Sequence, residues 1–129
     1  VTYDLNMQIG NGSVDTGSNY ITKEIYGQGS GAPASNAFTT TNNHPPMNGS
    51  SSTSNTFNNF EIYIPNYTGS NQKSMSLTVV VENNATFCDQ RFAAFLWTGT
   101  SAIDIITLTA SSGNLVQYST FYLYGIKNS

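Results

Sequence analysis

Positive charge is scarce in this chain. Lys23, Lys73, Arg91 and Lys127 are its only basic residues among 129, and they lie far apart. Nucleic-acid binding needs clustered Lys and Arg to neutralise phosphates. An anionic membrane surface attracts the same kind of cluster. Neither partner is expected. Cysteine is almost absent: with Cys88 alone, no intrachain disulfide can form. His44 is the single histidine, so a Cys/His structural zinc site is close to excluded. Long apolar runs are missing too. The longest, "TVVV" at 78–81, falls far short of the roughly 20 residues that span a bilayer. No signal peptide is visible. The chain opens at Val1, without a Met and already in a strand-like pattern, as a processed product or a truncated piece would.

Charged residues of both signs make up 9% of the chain, against a usual quarter or so. Amides and hydroxyls fill the gap, with sixteen each of Asn, Ser and Thr. The expected surface is polar and nearly uncharged. A length of 129 residues suits one domain. Such a chain can bury about two thirds of its unfolded surface, so a core can form without staples.

The pattern is of strands and loops, with no convincing helix. In "VTYDLNMQI" (1–9), Val1, Tyr3, Leu5, Met7 and Ile9 share one face. Further strands are expected at 20–27, at 60–67 (stopped by Pro65), and at 74–82, where Val79 to Val81 suggest burial on both faces. Three more are expected at 91–99, 103–110 and 115–126. Within the last, Phe121 and Leu123 share one parity with Leu115, so one face of it should be core. Residues 28–59 hold few large apolar side chains, mainly Phe38, Met47 and Phe57. That composition cannot offset the cost of ordering the backbone by burial alone. The segment is expected to be a surface excursion, or an arm held by a neighbouring molecule. About seven strands with regular turn signals predict a single-domain, all-β antiparallel sandwich of jelly-roll type over 1–129.

Several residues invite a chemical reading. Asp15-Thr16-Gly17-Ser18 is the kind of string that aspartic proteases carry around a catalytic carboxylate. Such a site needs two carboxylates sharing a proton. Here, Asn11 to Val14 supply loop chemistry rather than a buried strand leading into the Asp. Asp and Gly at a chain reversal need no catalysis, since Asp bonds its own backbone and Gly accepts positive φ. The string is expected to be a turn. His44, beside Pro45 and Pro46, is expected in an exposed loop without a triad. The acidic residues Asp4, Asp15, Glu24, Glu61, Glu82, Asp89 and Asp104 show no calcium-loop spacing, and most are expected to be solvated. Cys88 is expected to be a buried, inert thiol, and Trp97, Phe92 and Phe95 to be core. Four N-glycosylation acceptor strings, at Asn11, Asn48, Asn66 and Asn84, arise readily by chance in so Asn-, Ser- and Thr-rich a chain. No catalytic, cofactor-binding or metal-binding residue is assigned.

The second half is more specific. "FNNFEIYIPNYTGSNQKSMSL" (57–77), "ENNAT" (82–86), "AAFLWTGTSAIDIITLTASSGN" (93–114) and "VQYSTFYLYGIKNS" (116–129) resemble a group of small bacteriophage virion structural proteins of capsid-decoration or tail type. "DTGSNYITKEIYGQGS" (15–30) resembles, more loosely, a stretch that links two strands in those proteins. Cys88, Arg91 and Gly99 depart from the pattern, as surface detail. Members carry another strand or two before the equivalent of Val1. The resemblance implies a non-enzymatic virion protein on the particle surface, a capsid decoration (cement) protein in the first place. The alternative it implies is a tail or fibre head module that binds host cell-surface glycan. It further implies other virion proteins as partners, either the major capsid protein or tail proteins. A homo-oligomer is expected, with a trimer as its order and residues 28–59 near the contact.

Overall fold

A computed structural model describes residues 2–84 and 88–126. These form nine strands: β1 (Thr2–Asn11), β2 (Ser13–Val14), β3 (Tyr20–Gln28), β4 (Ala34–Thr40), β5 (Pro46–Asn48), β6 (Asn59–Tyr63), β7 (Lys73–Glu82), β8 (Cys88–Trp97) and β9 (Ile105–Ala110). No helix occurs among the described residues. Five strands make one antiparallel sheet in the order β4-β3-β8-β7-β6. A smaller antiparallel sheet forms around β1, which pairs with β9, β5 and β2. Within the larger sheet the order β3-β8-β7-β6 is that of a Greek key: three hairpin-connected strands, with a further strand joined through a long connection and lying beside the last.

Period-two alternation fixes which side chains meet between the sheets. Lys73, Met75, Leu77, Val79 and Val81 of β7 point inward, while Ser74, Ser76, Thr78, Val80 and Glu82 point out. Met7 and Ile9 of β1 join Tyr20, Phe95 and Trp97 in one hydrophobic cluster. The two sheets therefore share a single core, in a sandwich-like arrangement. Fully burying a side chain such as Phe95 is worth roughly 1.5–3 kcal/mol, so this alternation supplies most of the drive for the sheets to pack. Tyr20 also stitches the sheets together. Its hydroxyl accepts from Ile9 N and lies within hydrogen-bonding distance, at 2.8–3.0 Å, of the Ile9 and Asp15 carbonyl oxygens.

The fold corrects several expectations. Val80 is 40% exposed and the strand alternates between buried and exposed positions, so β7 is buried on one face only. Residues 28–59 are bonded within their own chain. They contain β4, which pairs with β3 over seven residues, and β5, which pairs with β1. Between these two strands, Asn43 exchanges backbone hydrogen bonds with Met7, and Pro45 O accepts from Leu5 N. Backbone ladders order this segment where side-chain burial could not. The expected last strand at 115–126 is absent. Those residues carry no ladder, and Phe121 and Leu123, expected in the core, are 42% and 83% exposed.

Candidate functional site

Three clusters carry most of the polar and apolar chemistry outside the core. The first sits where "DTGSN" meets the end of β8. Asp15 accepts from Gly17 N (2.9 Å), from Asn19 Nδ2 (2.9 Å) and from Trp97 Nε1 (2.7 Å). The Asp–Gly bond is the expected turn, a short carboxylate bonding its own backbone two residues on. The Trp97 bond adds a tie across 82 residues of sequence. Burial pushes the Asp15 carboxyl up, but the bonds from Trp97, Gly17 and Asn19 together outweigh it and hold the group below its ordinary value. The Lys73 ammonium lies over the Trp97 ring, 5.8 Å from its centroid. It donates to the carbonyls of Gly69 (2.8 Å), Ser101 (2.9 Å) and Asn71. Three acceptors satisfy all three of its protons, so this buried lysine clamps loops together. Gly99 belongs to the same knot. A Cβ at that position would stand 2.3 Å from Trp97 Cζ2, so Gly99 is required by packing and is not the surface detail expected of it.

The second cluster lies at the far end of the same inner face of β3 and β8. Arg91 donates to both carboxylate oxygens of Asp89, from Nε to Oδ1 (3.0 Å) and from Nη2 to Oδ2 (2.7 Å), and to Glu24 from Nη1 (3.1 Å). Gln28 Nε2 adds a 2.9 Å bond to Asp89, and the guanidinium lies 5.2 Å from the Tyr26 ring. The carboxylate side chains of Glu24 and Asp89 are 5% and 0% exposed, which corrects the expectation that they are solvated. Burial pulls the Arg91 guanidinium down, and the two carboxylates more than reverse this, so it stays firmly protonated.

The third cluster is a groove of about 970 Å³ between the edges of β6 and β9. Its walls include Ile62, Ile64, Tyr67, Ile103 and Ile106. Lys73 and the Ile103 N to Tyr67 O bond (2.8 Å) hold the loops at its end. Ile106 shares a face with Leu108 and pairs with Ile9, yet it remains more than a third exposed. The sandwich is therefore open along this side. Leu123, Tyr124 and Ile126 lie against the groove, with Phe121 beside Phe60 at 6.0 Å between ring centroids.

Other residues singled out from the sequence are scattered. His44 is half-buried and stacked on Phe38 at 4.7 Å, rather than exposed. Cys88 is half-buried. Phe95 and Trp97 are core, but Phe92 has the opposite parity and is 50% exposed, beside Ile25 on the outer face. Asp104 accepts from Gly12 N at 2.9 Å, bracing the tight β1–β2 turn where Gly12 has φ +67°. Asn11 and Asn66 are exposed and Asn48 is half-buried. The Asn84 acceptor string and the end of "ENNAT" run into residues 85–87, and Lys127 lies at 127, all outside the described residues. No group of three or more His, Cys, Asp and Glu that could hold a metal occurs among the described residues. The Arg91 cluster could have been suspected from the parity of β3 and β8, which places Glu24, Asp89 and Arg91 on the inner face. The β6–β9 groove had no signal, because it arises from strands distant in sequence.

No protein-family model, curated protein or solved structure matches the chain.

Proposed function

We propose that this chain is a structural protein of a bacteriophage virion, a capsid decoration (cement) protein carried on the particle surface and built as a jelly-roll variant. The observation that carries the reading is what the family-like motifs do here. Asp15 and Asn19 of "DTGSNY", Lys73 and Trp97 of "LW" bond or stack on one another. The residues that carry the resemblance therefore build a framework. The Greek-key order β3-β8-β7-β6 supports the jelly-roll part. Docking falls to surfaces. Ile25 and Phe92 form an exposed apolar pair on the outer face of the five-stranded sheet, amid a polar, weakly charged surround suited to contact with a shell. The partners in this reading are the major capsid protein or tail proteins, and sister copies in a homo-oligomer, with a trimer as its order.

A second reading has its own observation. Asn59, Glu61 and Tyr63 of β6 and Ser76 and Thr78 of β7 line a shallow outer-face depression of about 200 Å³. An exposed tyrosine among a carboxylate, an amide and hydroxyls suits a sugar ring, as in a tail or fibre head module that binds host glycan.

Mass spectrometry of purified particles of the encoding phage, with a reconstruction of the virion, tests both. Density for this sandwich on the capsid shell is the expected result. Density on the tail favours the glycan reading, and absence of the chain from particles overturns both.

A further inference from the structure

Among the described residues, half of the large apolar side chains that stand exposed fall in one short stretch. Val116, Tyr118, Phe121, Tyr122, Leu123, Tyr124 and Ile126 are seven of fourteen. The stretch is apolar on both parities, which is the pattern of a strand covered on both faces. Yet it carries no ladder. Two sheet edges beside it are also unpaired among the described residues, where β6 bonds only β7, and β9 only β1. A free strand lying next to free edges is a local conflict in the fold.

The turn that brings the stretch back onto the groove is strained. Ser119 N bonds Val116 O at 3.1 Å, with Tyr118 at φ +73° in the third position of the turn. A turn of that shape favours Gly or Asn there, and a bulky residue at positive φ is an outlier. Strained hinge turns invite exchange of the segment they hold. Opening this one would release Tyr118 to an extended conformation.

We propose that residues 115–126 are an exchange strand, which leaves its own chain and adds along β6 in the β6–β9 groove of a second copy. Phe121 and Leu123 then face Phe60 and Ile62 of that copy. The other parity, Tyr122, Tyr124 and Ile126, faces outward. Closing the groove within one chain would leave this second face bare, whereas exchange brings a second molecule alongside to cover it. Both surfaces are nearly uncharged, with Glu61 and Asp104 the acidic groups nearby, so two copies meet without like-charge repulsion. The inference moves the homo-oligomer contact from residues 28–59, which their own chain already orders, to 115–126. It deepens the oligomer part of the proposed function and does not depend on a virion setting.

Disulfide trapping in a Cys88→Ser background tests it. Phe60→Cys and Phe121→Cys proteins are refolded together and oxidised, and a double variant is oxidised alone. The expected result is a disulfide-linked pair of chains in the mixture, with an oligomer in sedimentation. Cross-linking only within the double-variant chain overturns the exchange. An oligomer with no cross-link overturns it too, while leaving the homo-oligomer standing, and a monomer at every concentration overturns both. Tyr118→Gly, which relaxes the turn, is expected to weaken self-association about tenfold without lowering the melting temperature. Unchanged association would remove the hinge from the proposal.

Discussion

Residues 28–59 and 115–126 invert each other. The first is polar, with few large apolar side chains, and is bonded into both sheets through β4, β5 and Asn43. The second is rich in aromatic and aliphatic side chains and pairs with no strand among the described residues. What orders a segment in a β protein is access to a backbone edge. Each ladder bond satisfies a donor and an acceptor that would otherwise need water, and polar side chains do not impede it. Apolar side chains add stability only after an edge has accepted the strand. Residues 28–59 reach the edges of β3 and β1, whereas 115–126 lie beside two open edges without joining either.

The largest test of that contrast strikes the sheet on which the ordered segment leans. Arg91→Leu leaves the Glu24 and Asp89 carboxylates buried without a cation, and is expected to cost about 3–5 kcal/mol by denaturant unfolding. A loss below about 1 kcal/mol would mean that the cluster is solvated. A matched pair of phenylalanines then compares core with segment. Phe95→Ala, at a fully buried position, should cost about 3–5 kcal/mol. Phe121→Ala in the monomer should cost less than about 1.5 kcal/mol, because its ring is already half in water. Equal losses would place 115–126 in the core and erase the contrast. Trp97→Phe keeps the ring but deletes the donor to Asp15, and is expected to cost about 1.5–3 kcal/mol, read as a drop in Tm.

The smallest effect sharpens the comparison at the turn that precedes β3. The folded Asp15 carboxyl titrates below its ordinary value, so its contribution is fully present above the unfolded pKa, about 3.9. It is lost as pH falls through the lower folded value. Asp15→Asn is therefore expected to reduce the difference in Tm between pH 7 and pH 3 while changing little else. An unaltered acid limb would mean that Asp15 does not carry this titration.

Hydrogen exchange draws the contrast directly. The amides of 34–40 are expected to exchange more slowly than those of 121–126 in the monomer, and the reverse order would refute the account of both segments.

Much of the framework was legible along the chain. Strand-like patterns at 1–9, 20–27, 74–82 and 91–99 anticipated β1, β3, β7 and β8, and the inward parity of Leu5, Met7 and Ile9 followed from the alternation at 1–9. Asp and Gly chemistry anticipated the turn at Asp15. Such features are local, set by the two-residue period of a strand and by what a backbone tolerates at a reversal. The chain's order could not reveal which edges would be free. That depended on β3 lying beside β8, and on β1 lying beside β9 and β5, pairings between residues from about forty to a hundred positions apart. Those pairings draw the polar stretch at 34–48 into the sheets and leave the apolar stretch at 115–126 outside them. They also set Glu24 beside Arg91 and Asp15 beside Trp97. Side-chain pattern states what each strand can offer, and only the closure of distant strands decides which offers are accepted, because a ladder bond needs a second edge as well as a willing sequence.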